Sequence, residues 1–298
     1  GAQAFLLEDG GGYVAFRNGS LVDFSNERVR LFRIKSQDQV WERNYKVCFV
    51  HDEDPELGPF TMKIDFEDYE LNNPSKTVDD KGVYYVWKDY DPYAVSVDQW
   101  STGNPGFKLS KSSAKPAEYP SVAVAGGGVD GGACLKLETK DTGAFGRMVD
   151  YRIASGSLFI GTFDVANALK AALMATRFGL PYKHKPIKVS GYYKFKAGEQ
   201  FQDRNGNPVD RIDAPDAYCV VYRNQDADGK KVQLDGADVL TNENIVGLGR
   251  ISGIVETDTW TRFEYSVNYT EELDEAILLA NGYSMTLCFA SSIEGVFK

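Results

Sequence analysis

Six aromatic residues, Tyr84, Tyr85, Trp87, Tyr90, Tyr93 and Trp100, crowd into seventeen consecutive positions, interleaved with Asp89, Asp91 and Asp98. Sugar rings present apolar C–H faces. A Tyr or Trp ring on a surface can stack on them while neighbouring acids, amides and ammonium groups bind the hydroxyls. The density exceeds what alternation along one core strand needs, so part of the cluster is expected at a surface as a ligand platform. Packing in a core or loop is the alternative. A second candidate lies in the run from Phe178 to Glu199, where five lysines and a histidine stand between Tyr182 and Lys196 without one acid. From Pro186 this run alternates as a strand, with Ile187, Val189, Tyr193 and Phe195 on one face and Lys188, Ser190, Tyr192, Lys194 and Lys196 on the other. Tyr192, Lys194 and their neighbours would hold an acidic sugar or a phosphate by charge. The competing explanation is a solvated face whose lysines discourage edge pairing. Trp260 opens a later strand on its polar face beside Arg262 and Glu264, where packing at a sheet edge is the simpler role.

The stretch Asn224-Gln-Asp-Ala-Asp-Gly-Lys-Lys-Val-Gln-Leu-Asp235 nearly matches a calcium loop, with oxygen side chains from Asn224, Asp226, Asp228 and Asp235 at positions 1, 3, 5 and 12 and Gly229 at 6. Asn replaces the first Asp, Asp replaces the bidentate Glu, and strand-like runs flank the loop where an EF-hand has helices. A hairpin turn fits better, with a structural calcium as the cofactor the alternative implies. Asp203-Arg-Asn-Gly-Asn207 is likewise a turn. Glycoside hydrolysis needs two carboxylates about 5–10 Å apart. With 43 acids the sequence singles out no pair, although Glu67, Asp68, Asp98, Glu138 and Glu264 are available. The two histidines, His51 in an acidic turn and His184 between lysines, mark no nucleophile arrangement. No Gly-x-Ser-x-Gly elbow occurs, and Gly126–Gly132 is a loop between strands rather than a phosphate cradle before a helix.

The elements that would position these groups are short strands. Tyr13–Phe16, Val29–Ile34 and Tyr45–Val50 open the chain, and Phe60–Phe66 alternates with Phe60, Met62, Ile64 and Phe66 inward. Leu135–Thr139, Ser157–Phe163, Ala217–Tyr222, Thr261–Tyr269 and Tyr283–Phe289 follow. Asp164 is placed to cap one helix, Val165 to Thr176, that is apolar nearly all round. Many short strands, frequent turn signals and one helix imply an all-β antiparallel sandwich of jelly-roll type. A formal charge of −10 argues against a nucleic-acid partner. No apolar run approaches the roughly 18 residues of a membrane span, and no basic stretch precedes an apolar run at the start, so any export signal is expected to have been removed or never to have been there. Cys48, Cys134, Cys219 and Cys288 stand singly in or beside apolar runs, as small buried hydrophobes do.

Several phrases, in this order and spacing, resemble the putative carbohydrate metabolism domain family of secreted or lipid-anchored proteins of gut bacteria. They are Phe66-Glu-Asp-Tyr69, Trp100-Ser-Thr-Gly-Asn104, Ser155-Gly-Ser-Leu-Phe-Ile-Gly-Thr-Phe163, Phe178-Gly-Leu-Pro-Tyr182, Lys188-Val-Ser-Gly-Tyr-Tyr-Lys-Phe195, Trp260-Thr-Arg-Phe-Glu264 and Ala290-Ser-Ser-Ile-Glu-Gly-Val-Phe297. The resemblance implies a jelly roll like that of carbohydrate-binding modules over residues 60–298, following a small β-rich segment over 1–59. It also implies export to the cell surface or periplasm, with a lipid anchor, and a further strand beyond the last phrase. Gly1–Asp9 loosely resembles that strand. The family carries no catalytic signature onto positions of this chain.

The expectation is therefore a non-catalytic glycan-binding protein of the cell envelope, with a polysaccharide or oligosaccharide partner. A glycoside hydrolase or lyase of the same architecture is the alternative. An adhesin-like module that takes a protein partner at an open sheet edge is a third.

Overall fold

The computed structural model describes residues 2–8, 11–22, 29–48, 61–72, 83–90, 96–97, 99–149, 151–168, 170–203 and 205–294. The chain is all-β, and its assigned strand pairings are antiparallel. It divides into two compact units, Gly1–Lys63 with Tyr90–Val97, and Ile64–Asp89 with Asp98–Lys298. Among the described residues no helix is long and apolar enough to cross a membrane.

The first unit contains a four-stranded sheet, in the order Tyr13–Phe16, Gln3–Leu7, Val29–Lys35, Glu42–Cys48. The register brings Leu6, Val14, Phe16 and Phe32 to one face, where Phe16 and Phe32 meet edge to face at 5.0 Å. Gln3–Leu7 has a partner on each side, Tyr13–Phe16 and Val29–Lys35. The opening residues thus complete this sheet and not, as their wording suggested, the larger domain. Cys48 ends the last strand, and its side chain lies outside the described residues.

The second unit is built on a nine-stranded sheet. Its path runs Leu234–Asp235, Thr176–Phe178, Ser157–Phe163, Tyr283–Ala290, Asp216–Arg223, Ile245–Arg250 and Asn268–Tyr269, with Trp100–Ser101 and Leu180–Pro181 attached beside it. Asp216–Arg223 reads Asp-Ala-Tyr-Cys-Val-Val-Tyr-Arg, apolar at successive positions rather than alternate ones, because both faces of the sheet are covered. Ala217, Cys219 and Val221 join Leu158, Ile160, Met285 and Leu287 on one face. Tyr218, Val220 and Tyr222 join Phe159, Phe178 and Cys288 on the other, under Leu234 and Val239. Burial pushes the Cys219 and Cys288 thiols up to about 12, so both act as packing groups. The path ends on two-residue strands at both sides, which leaves little bare edge.

Over the first face lies a second layer, the antiparallel pair Lys188–Phe195 and Thr257–Ser266. Its inner side chains, Val189, Phe263 and Tyr265, pack on the cluster of Leu158 and Val221. The alternation read from Val189 to Phe195 is observed, but Ile187 precedes the strand and is 69% exposed.

Two expected elements differ. Residues 61–66 form no strand. Asp65 accepts a hydrogen bond from the Glu67 amide and Phe66 takes φ 60°, a left-handed turn that breaks any ladder. Ile64 and Phe66 still point inward to the core. Phe60 lies outside the described residues. The helix expected over Val165–Thr176 shrinks to Ala172–Ala175. Asp164 accepts from the Ala166 amide as a cap would, but the amides of Asn167 and Ala168 bond only three residues back, and Thr176 already starts a strand.

Candidate functional site

The upstream aromatic cluster is structural where it is described. Tyr84–Trp87 pairs with Tyr69–Asn72 and is covered on both sides. Tyr84 packs 5.5 Å from the Tyr119 ring and accepts a hydrogen bond from Asn72 Nδ2. Trp87 is 2% exposed and Trp100 8%, the latter against Phe289. Tyr85 is half-buried between Tyr69 and Trp87. The density that suggested a surface comes instead from burial on two faces at once. Tyr90 ends the two-residue strand Asp89–Tyr90 with its side chain outside the described residues, and Tyr93 lies outside them altogether.

The phrase ending at Asn104 is structural too. Asn104 is fully buried, donates from Nδ2 to the Ser121 carbonyl at 2.8 Å and accepts from the Ser121 amide at 3.1 Å. Its carboxamide thus stands in for a strand partner. Ser121 Oγ in turn donates to the Ser157 carbonyl and accepts from the Ser157 amide. Two of the recurring phrases are joined through one serine.

Tyr192 and Lys194 have the opposite fate. They stand on the solvent side of the second layer, and Tyr192 is 52% exposed. The register sets Tyr192 directly across from Arg262 and Ser190 across from Glu264. Trp260, two residues before Arg262, is half-buried and lies where the register shifts, between the Tyr193–Thr261 and Phe195–Thr257 pairs. Lys194 Nζ lies 5.1 Å from the centre of the Trp260 ring. Glu264 bonds both Lys188, at 3.0 Å, and Arg262, and these two cations hold its carboxyl below the usual range. The result is a strip of Tyr192, Trp260, Lys194 and Arg262, ordered along its length by ion pairing and ring contact. Its rims are polar, and its inner face is anchored in the core.

The Asn224–Asp235 loop is a turn closed by the Asp226 amide bonding to the Lys230 carbonyl. Asp226 Oδ1 accepts from the amides of Asp228 and Lys230, Asn224 Nδ2 donates to the Asn281 carbonyl, and Asp235 Oδ1 accepts from the Ala237 amide. These side chains serve the backbone rather than converging on one point. Among the described residues no three His, Cys, Asp or Glu side chains gather as a metal site. Asp203 likewise caps the amides of Asn205 and Asn207 in a turn.

Of the acids considered for catalysis, Glu67 accepts from the Ala133 amide at 2.6 Å, fixing the glycine-rich loop, and Glu138 sits between Lys136 and Lys140. Asp98 and His51 lie outside the described residues. A pair not singled out from sequence is Asp213 and Glu294. Burial raises the Asp213 carboxyl above its usual range, and the Glu294 charge adds to this against a hydrogen bond from Ser292. Glu294 is ion-paired to Arg211 at 2.5 Å. Ile293 bonds its amide back to the Ala214 carbonyl and so brings Glu294 beside Asp213, a meeting that no local pattern in the sequence marks.

Comparison with known proteins agrees with this architecture. A model of the putative carbohydrate metabolism domain matches residues 65–297. The chain belongs to that family. Two solved structures share the fold. One, described as a putative glycoside hydrolase from Bacteroides thetaiotaomicron, is 31% identical with a TM-score of 0.69, over 98% of this chain and 77% of that one. The other, described in the same words and from Bacteroides vulgatus, is 34% identical with a TM-score of 0.69, over 78% of this chain and 89% of that one. No curated protein matches the chain. The family and these neighbours give this member a glycan-related function.

Proposed function

We propose that this chain binds polysaccharide at the outer face of the Lys188–Phe195 and Thr257–Ser266 layer. The observation that carries the reading is the pairing of an exposed Tyr192 ring with Trp260 on one face, flanked by Lys194, Arg262 and Glu264, in a carbohydrate-domain family. An exposed ring supplies an apolar surface for a sugar's C–H face, and the ordered charged groups around it supply hydrogen bonds to hydroxyls. The inner side chains of the same strands are core residues, so the platform is rigid and its rings need little ordering on binding.

A second reading, glycoside hydrolysis, is favoured by the description of both solved neighbours and by Asp213 beside Glu294. Burial pushes the Asp213 carboxyl up, as in a general acid, and Glu294 beside it is ion-paired to Arg211.

A glycan array followed by incubation with the best ligand tests both. Binding without release of reducing ends is the expected result. Product release that Asp213→Asn abolishes would replace the binding role with catalysis. Binding to no glycan would leave a protein-binding, adhesin-like module.

A further inference from the structure

We infer that the ligand of this face is an anionic polysaccharide, one bearing uronate carboxylates or sulfate esters. The inference rests on the reading of the face as a glycan platform. The protein as a whole carries a formal charge of −10, yet this strip presents Lys188, Lys194 and Arg262 against Glu264, while at its end Lys196 stands near Asp258 and Glu256, the latter bonded to the Ala197 amide. Glu264 is shared by Lys188 and Arg262, so one carboxylate answers two cations. Lys194 has no carboxylate partner among the described residues and is held by the Trp260 ring alone.

That last contact decides the chemistry. A platform for neutral sugars gains most from two bare rings. Here the ammonium sits over the indole, where it takes up stacking surface but stands in a fixed place beside the open Tyr192 ring. A sugar stacked on Tyr192 would bring a ring substituent toward Lys194 and Arg262. An oxyanion there would meet three ammonium donors and a planar guanidinium, both suited to charge-assisted hydrogen bonds. Trp260 is thus a positioning residue for Lys194, and Tyr192 is the stacking surface.

Calorimetric titration with oligogalacturonate, with a sulfated galactan oligosaccharide, and with the methyl-esterified and unsulfated counterparts tests the proposal. The expected result is binding to at least one anionic ligand about tenfold or more tighter than to its neutral counterpart, weakening as salt rises. Lys194→Ala should remove most of that preference, Lys194→Arg should keep it, and Trp260→Ala should reduce it, all with unchanged melting temperatures. The two anionic ligands separate carboxylate from sulfate recognition. Equal affinity for charged and neutral ligands, with Lys194→Ala silent, would overturn this inference and leave glycan binding intact. Failure of every glycan to bind would overturn both.

Discussion

Asp213 shows how one side chain's surroundings set its role. Its folded pKa is raised, chiefly by burial, above the roughly 3.9 of an unfolded aspartate. The folded chain therefore holds this proton more tightly than the unfolded chain does. The favourable contribution is complete below the unfolded value and is lost as pH rises through the folded one. Asp213→Asn removes the charge and keeps an acceptor for Ser292. It should raise the melting temperature at pH 7, and the gain should vanish near pH 3. A variant that melts lower at pH 7 would mean that the ionised carboxylate is a structural partner. Stabilisation by removal of a side chain is also what a functional acid shows, so this measurement bears on the hydrolase reading.

Among the elements, the join between Trp100–Asn104 and Ser157–Phe163 is the clearest case of local wording fixed by long-range need. Asn104→Ala would leave the Ser121 amide and carbonyl buried without partners and should cost about 2–4 kcal/mol in chemical denaturation, with glycan binding unchanged below the transition. A loss below about 0.5 kcal/mol would show that water takes over the amide's role. Gly179, in the Phe178-Gly-Leu-Pro turn, is equally constrained. It takes φ +92°, and a Cβ there would stand 2.6 Å from the Tyr222 ring, whose hydroxyl donates to the Phe178 carbonyl. Gly179→Ala should destabilise by about 2 kcal/mol or more.

These elements also show what the sequence made legible. The alternation of Lys188–Phe195 and of Phe263, Tyr265 and Val267 was readable because that layer has one wet face. The same rule misled at Tyr84–Trp87 and at Trp100. A strand buried on both sides looks like a crowded surface when only density is read, and nothing local tells the two apart. The partner ring, half-buried Trp260, was visible as a residue on a polar face. Its neighbours became legible only once the register set Arg262 across from Tyr192 and Lys194 was found over the Trp260 ring. The Asp213–Glu294 pair, 81 positions apart, could not be read without the pairing of Ile293 to Ala214.

For the whole molecule, the two units differ in how deeply they bury side chains. No described residue of 1–63 reaches the burial of the larger unit's core, and Trp41 at the Ser36–Trp41 turn is 76% exposed. In the larger unit Leu158, Val220 and Tyr283 are fully buried. Local opening should follow this contrast. Hydrogen exchange should find the amides of Asp216–Arg223 and Tyr283–Ala290 protected at least about tenfold more than those of Gln3–Leu7 and Val29–Lys35. Equal protection would mean that the chain opens as one cooperative unit.

The central claim is that a glycan docks on the face shared by Tyr192 and Trp260. It is tested most directly by the affinity of the Tyr192→Ala/Trp260→Ala double variant for the best ligand from the array, measured by calorimetry beside a melting curve. Both changes lie on the outer face, so the melting temperature should stay within a few degrees. The affinity should fall at least about tenfold, as expected when the exposed stacking ring and the ring that holds Lys194 are both truncated. A double variant that keeps full affinity would place the glycan elsewhere and contradict the account.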